Sequence, residues 1–335
     1  MKITLRDIAA RTGYSVNTVS HALSGKTDIS EATREEITRV AAEMGYIRNS
    51  AAGGLRSGRS RTVALIQPDV ANPHFIIVFR GIEAFFRQKG YTVFVLNTDE
   101  DPHIEEAAIR AALAQNVDGI LLCPAIGGEQ NVAYLQRTGV PFCLIGRRAL
   151  NSEADFVVCD DEEGGYLAAA HLLAQGHRHI AFLNGDSRIS PAGQRLAGCR
   201  RAMSEKGFSL PDERVLSLSV KAGKNHTRMR TFLKNDPAVT ALVAFSDLLA
   251  FEAVCVLSEM GLRVPEDMSI VGFDNICTDF PLSPPLSSVS VSKKAMATVS
   301  AEILWARIEG TEPPEHHVVL PTKLIQRKTV LPIEE

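Results

Sequence analysis

The 335-residue chain has no apolar run long enough to span a membrane, and MKITLRDIAARTG at its start has no signal-peptide core, so the expectation is a cytoplasmic protein. Six widely spaced cysteines (Cys123, Cys143, Cys159, Cys199, Cys255 and Cys277) include no C-x-x-C pair. That argues against a disulfide framework or a zinc site and for reduced, mostly buried thiols. Enzyme signatures are missing too. There is no G-x-S-x-G, no H-E-x-x-H and no G-x-G-x-x-G between strand and helix. Gly223-Lys224 lacks the upstream glycine and the Ser/Thr of a phosphate loop. No catalytic residue, metal ligand or cofactor is assigned, although carboxylates are too plentiful for a dyad to be excluded by sequence.

The composition, 45% hydrophobic and 22% charged, is that of a globular protein with room for two or three compact units. The net charge of −3 is unevenly spread. Residues 1–61 hold ten Lys/Arg against six Asp/Glu, and the remainder holds 26 against 33. A basic head on an acidic body suits a head that meets a polyanion, though a surplus of four charges does not decide it.

Capping signals divide the head into three helices. Thr4 with Asp7 forms a variant capping box before Leu5, Ile8 and Ala9, and Gly13 ends that helix. Ser15 caps a second helix from Val16 to about Ser24, closed by Gly25. Ser30 opens a third with Ile37, Val40, Ala41 and Met44 at helical spacing, stopped by Gly45. Two short helices about a glycine turn, completed by a third, make the helix-turn-helix plan. In that plan Val16, Val19 and Leu23 form the buried stripe of the second helix. Asn17, Thr18 and His21 face base edges and phosphates. Asn can read adenine, and a histidine ring can donate to guanine N7 or O6. An amphipathic surface helix without a ligand fits less well, because capping, turn and charge all agree.

The run LRDIAARTGYSVNTVSHALSG, followed by ISEATREEI and GYIRN, resembles the DNA-binding head of the LacI-type transcription regulators. Carried over position by position, Val16, Asn17 and His21 fall where that family varies its base-reading residues, with Thr4, Ser15 and Thr18 beside them. Arg48 to Arg61, RNSAAGGLRSGRSR, reads by composition as a flexible linker. The resemblance makes it a hinge that becomes helical on DNA. There Asn49 and Ala52 approach the duplex and Leu55 wedges into a base step. Gly53-Gly54 departs from the family pattern, at about 1 kcal/mol of helix propensity each.

The body alternates short apolar runs with helical stretches. TVALIQP, TVFVLNT, GILLCP and PFCLIG read as one series of buried strands. FVVCD, HIAFLNG, RVLSLS, ALVAFSD and SIVGFD read as a second. The expected fold is therefore a small all-α helix-turn-helix head on an α/β body of two parallel-sheet lobes. HLLAQGHRHIAFL, QRLAG, GLRVPEDMSIVGFDN and SPPLSSV extend the resemblance to the periplasmic sugar-binding-protein fold used by the family. The implied division is a DNA-binding domain at 1–47, a hinge at 48–61 and an effector-binding and dimerisation body at 62–335. Lobe 1 takes about 62–159 and 291–320, and lobe 2 about 160–290 and 321–335.

Ligands of open α/β sheets bind beyond the carboxyl ends of the strands. The resemblance places Arg195 and Asp274 at positions that hydrogen-bond effectors. Phe75 is the expected aromatic platform for a polyol, and Asn72, His74, Arg147, Ser246 and Asp247 lie on neighbouring strand-end loops. Asp247 equally suits a helix cap, and Arg147 a surface ion pair. His177 and His179 suit a turn better than a metal. The implied function is a DNA-binding transcriptional repressor controlled by a small molecule, most naturally a carbohydrate. The alternative is a small-molecule binding protein whose head engages a protein. A pseudo-palindromic operator implies a homodimer. Ile76, Phe79, Ile82 and Phe86 are open to a role at that interface or in the core. No leucine heptad follows LPIEE, so a tetramerising tail is not expected.

Overall fold

The computed structural model describes residues 3–47, 58–149, 152–221, 223–276 and 284–333. Met1–Ser60 and Arg61–Glu335 are separate compact units.

In the first unit, α1 (Leu5–Thr12), α2 (Val16–Leu23) and α3 (Glu31–Glu43) pack around Ile8, Val19, Ala22, Ile37 and Ala41. The capping box of α1 is complete: Thr4 accepts from the Asp7 amide and Asp7 from the Thr4 amide at 2.8 Å. Ser15 and Ser30 cap α2 and α3 by accepting from the Thr18 and Thr33 amides, without the reciprocal bond. Gly13 holds φ 75°, a left-handed turn that favours glycine. One expectation fails. Val16 is 42% exposed and is not part of the buried stripe, which consists of Val19 and Ala22 with Leu23 partly buried. As the first helical residue, Val16 precedes the point where the apolar face turns inward.

The second unit contains two six-stranded sheets. Sheet one runs β11-β5-β4-β3-β1-β2, with β1 Thr62–Gln67, β2 Thr92–Asn97, β3 Gly119–Leu122, β4 Phe142–Ile145, β5 Phe156–Cys159 and β11 His317–Leu320, all parallel. Sheet two runs β12-β10-β9-β8-β6-β7, with β6 Ile180–Asn184, β7 Val215–Ser217, β8 Ala241–Ala244, β9 Ser269–Asp274, β10 Ser287–Val291 and β12 Thr322–Ile325. Only β12 pairs antiparallel there. Phe156–Cys159, which chain order grouped with the second series, pairs with β4 in the first sheet.

Helices cover both faces of each sheet, so the central strands other than β10 are apolar on both sides. On sheet one, α4 (Pro73–Gln88) and α11 (Lys293–Glu309) bury Ile82, Phe86 and Leu304 on one face. Ile82 and Phe86 are thus core, whereas Ile76 is 37% exposed. The other face is covered by α5 (Pro102–Ala114) and α6 (Glu129–Thr138). On sheet two, α7 (Asp161–Ala174) and α8 (Ser190–Glu205) cover one face, and α9 (His226–Asn235) and α10 (Asp247–Glu259) the other. The chain passes between lobes three times: from β5 into α7, from β10 into α11, and from β11 through Pro321 into β12. Among the described residues no helix is long and apolar enough to cross a membrane.

Candidate functional site

On α2, the Ser15 hydroxyl accepts from the Thr18 amide at 3.1 Å and lies 2.9 Å from the Thr18 hydroxyl. Thr18 is therefore partly engaged by its cap, while Asn17 stands exposed beside Val16. His21 is not free. Its Nδ1 lies 2.7 Å from Asp28 Oδ2, and its Nε2 lies 3.4 Å from Lys26 Nζ. Arg34 supports that loop by donating to the Lys26 carbonyl at 2.7 Å. Thr4 serves the α1 cap. The hinge residues Asn49, Ala52 and Leu55 lie outside the described residues.

In the body, a cleft of about 620 Å³, counting its open mouth, separates the two lobes. Asn72, His74, Phe75 and Arg147 line it from lobe 1, and Arg195, Ser246 and Asp274 from lobe 2. Each reaches it from the carboxyl end of a strand or the first turns of the following helix. Asn72 caps α4, accepting from the His74 amide at 3.0 Å. That cap orients His74 and Phe75, whose rings meet edge to face at 5.3 Å.

His74 Nδ1 lies 3.6 Å from Asp274 Oδ1, across the lobe boundary. That is too long for a hydrogen bond, and Nδ1 is buried without a partner. Burial drives the His74 pKa down to about 4 against the pull of Asp274, so the ring is neutral at physiological pH. Asp274 itself sits at φ 96°, with its backbone carbonyl accepting from Lys293. Its carboxylate makes no hydrogen bond among the described residues.

Arg195 is buried between the rings of Phe273 and Phe245, at 3.5 and 4.5 Å from their centroids. It donates to Asp161 at 2.7 Å and to the Phe245 carbonyl. Burial opposes its charge, but Asp161 and Asp274 outweigh that and raise its pKa above the usual arginine value. Arg147 is held in a two-pronged bond to Glu100, at 2.7 and 2.8 Å, and donates to the Pro124 carbonyl. Both members of that pair are more than nine-tenths buried, so Arg147 is not a surface ion-pair partner. Ser246 caps α10 through the Leu249 amide at 3.3 Å.

Asp247 does not reach the cleft. It is fully buried beneath it, accepting from Ser288 Oγ at 2.6 Å and from the Ile276 amide at 2.8 Å. Burial, reinforced by Asp274, pushes its pKa up to about 7. Its place is a brace under the Asp274 loop, because the preceding Ser246 already supplies the helix cap. His177 bridges Thr240 and the Leu331 carbonyl at 3.0 and 3.1 Å, tying the turn before β6 to the C-terminal segment.

Sequence reading missed Asp161, Glu100, Phe245 and Lys293. The acids hold the two arginines, Phe245 stacks on Arg195, and Lys293 anchors the Asp274 backbone. The only signal was indirect: Glu100 stands in the TDED loop, and Asp161 opens the helix one residue beyond a strand.

A helical head of this pattern, joined in one chain to two α/β lobes around a polar cleft, defines a ligand-binding, helix-turn-helix regulator. Residues 4–49 match the model of bacterial regulatory proteins of the lacI family, and residues 169–330 that of a periplasmic binding protein-like domain. The transcriptional regulator DegA of Bacillus subtilis (strain 168) is 31% identical over 99% of both chains. The solved lac repressor dimer bound to operator and the anti-inducer ONPF superposes with a TM-score of 0.85 at 26% identity, covering 99% of this chain and 100% of that one. The regulator CelR in complex with cellobiose gives 0.72 at 30% identity, covering 98% and 100%. The chain belongs to the LacI family of bacterial regulatory proteins. It is a DNA-binding transcriptional regulator of the repressor type.

Proposed function

We propose that this chain acts in the cytoplasm as a homodimeric repressor of a pseudo-palindromic operator, without enzymatic activity, and that a small polyhydroxylated molecule binding between its lobes controls the occupancy of that operator. The observation that carries this reading is the cleft itself. The Asp274 carboxylate of lobe 2, which makes no hydrogen bond among the described residues, faces His74 Nδ1 of lobe 1, buried without a hydrogen bond, at 3.6 Å, with Arg195 beside them. A carboxylate accepts from two hydroxyls, and an arginine donates to ligand oxygens. Phe75 offers an apolar face to the C–H side of a sugar ring. A molecule that satisfies groups from both lobes favours one lobe angle over another, which is the differential contact that allosteric control requires.

On the DNA side, Val16, Asn17 and His21 are the base-reading candidates, with Thr4, Ser15 and Thr18 at the backbone. The small, basic segment around Asn49, Ala52 and Leu55 suits minor-groove binding, with Leu55 as the wedge.

The test is a thermal-shift screen of the full chain over neutral sugars, sugar phosphates and nucleobases, followed by operator binding in rising salt with and without each hit. A neutral sugar that raises the melting temperature and changes operator affinity by about five- to 150-fold supports the reading. Sugar binding that leaves DNA affinity untouched would overturn it.

A further inference from the structure

The partners of His21 determine which ring nitrogen carries the proton. Nδ1 lies 2.7 Å from Asp28 Oδ2, and Nε2 lies 3.4 Å from Lys26 Nζ. A carboxylate only accepts, and an ammonium only donates. One form of the ring satisfies both contacts: neutral, with hydrogen on Nδ1 and a lone pair on Nε2. A proton on Nε2 would oppose the Lys26 ammonium, and a lone pair on Nδ1 would oppose the Asp28 carboxylate.

We propose that Asp28 is a positioning residue that holds His21 in this tautomer, so that His21 presents an acceptor to the major groove and reads an exocyclic amino group, adenine N6 or cytosine N4, rather than guanine N7 or O6. The inference rests on the reading of α2 as the base-reading helix. Residue type alone suggested a guanine-directed donor; the Asp28 contact reverses that. In the major groove the amino groups are donors, while N7, O6 and thymine O4 are acceptors. An imidazole whose donor is already spent on Asp28 complements the first set and not the second. Lys26 is exposed and long, so its ammonium can leave Nε2 for a phosphate as the base arrives. Arg34, bonded to the Lys26 and Ile29 carbonyls, holds the backbone of this loop in place while that side chain moves.

The test uses the full chain and a randomised duplex library. Selection with wild type and with His21→Ala identifies the base pair whose preference the histidine sets. An unchanged preference in His21→Ala would remove the base-reading premise, and the proposal with it. At the identified pair, one duplex replaces adenine by purine, or cytosine by 2-pyrimidinone, and so lacks the amino group. A second carries the 7-deaza purine and lacks N7. The expectation is that loss of the amino group weakens wild-type binding about three- to tenfold and His21→Ala binding hardly at all, while the 7-deaza duplex binds wild type normally. Asp28→Ala should lower discrimination between amino-bearing and amino-less duplexes at least about threefold; the ratio of the two affinities is what is read, so the general gain in DNA affinity from losing a negative charge cancels. Sensitivity of wild type to the 7-deaza substitution, or indifference to the amino group, would overturn the proposal. So would full discrimination in Asp28→Ala.

Discussion

Gly198 lies so close to the carbonyl oxygen of Glu162 that a Cβ at position 198 would overlap it, and Gly165 approaches the Arg195 carbonyl in the same way. Helices α7 and α8 therefore touch backbone to backbone, and this approach sets Asp161 of one helix 2.7 Å from Arg195 of the other.

Gly198→Ala should separate the two helices, because the obstructing atoms are backbone and cannot rotate away. Overpacking of this kind costs about 1–3 kcal/mol. We expect a lower melting temperature, and effector affinity reduced at least about tenfold as Arg195 leaves its place. Calorimetry with an effector identified by screening checks this. Native affinity in the variant would show that the Arg195 position does not depend on the helix contact.

The Glu100–Arg147 pair makes a second prediction. Removing one partner of a buried pair strands the other and costs about 3–5 kcal/mol. Glu100→Ala should destabilise the body by that amount in urea unfolding. Adding Arg147→Met removes the stranded guanidinium, so the double variant should be more stable than Glu100→Ala alone. A double variant that is less stable than Glu100→Ala would mean that Arg147 contributes through its bond to Pro124 rather than through the ion pair.

These pairs show where sequence reading runs out. The central strands were legible because burial on both faces demands unbroken apolar runs, as in Val63–Ile66 and Ile120–Leu122. β10 was not, because its sequence SSVSV looks polar. Its first two serines are buried with their hydroxyls satisfied, since Ser288 donates to Asp247 and Ser287 accepts from the Arg327 amide, partners 41 and 40 residues away. β11 and β12 were hidden for another reason. One residue, Pro321, separates them, yet they belong to different sheets. Local pattern carries no information about such a crossing; the family resemblance alone placed a lobe boundary there, between residues 320 and 321. Among the cleft-lining residues, strand-end position was enough to find Asn72, His74 and Arg147. Pairing across lobes, or beneath the site as with Asp247, depends on contacts that spacing does not encode.

The two displaced pKa values make opposite contributions to stability against pH. Asp247 is raised from 3.8 to about 7, so its contribution is present in full below pH 3.8 and is lost as pH rises through about 7. His74 is lowered from 6.5 to about 4, so its contribution is present above pH 6.5 and is lost as pH falls through about 4. The two are on the order of 4 and 3 kcal/mol, and they oppose each other between about pH 4 and 6.5. The wild-type body should therefore be nearly flat in that window as far as these groups are concerned. Asp247→Asn should make stability rise with pH there, and His74→Gln should make it fall. Urea unfolding at half-unit pH steps reads both slopes, and equal slopes in the two variants would rule this account out.

Asp274→Asn separates binding from bracing. The carboxylate is nearly buried and makes no hydrogen bond among the described residues, so the isosteric amide loses no native hydrogen bond. Its charge also lies near Asp247, whose pKa it helps to raise. It also supports the buried charges of Arg195 and Lys293, so neutralising it removes one repulsion and two attractions, and the melting temperature should fall slightly. Affinity for the effector should fall, because an amide accepts at one end only and presents N–H groups to hydroxyls that had two carboxylate oxygens. The expected loss is about 1–3 kcal/mol, or roughly five- to 150-fold. Asp247→Asn, one layer below, should change effector affinity far less, while weakening the bonds to Ser288 and Ile276. The operator supplies an independent reading, because the coupling between sites is reciprocal. If the effector is an inducer, Asp274→Asn should hold its operator at effector concentrations that release wild type. If the effector is a corepressor, the variant should fail to hold it where wild type does. Calorimetry and operator titration on the same preparations decide the matter. Normal effector affinity in Asp274→Asn, together with lost affinity in Asp247→Asn, would show that the lower carboxylate governs the site and Asp274 does not.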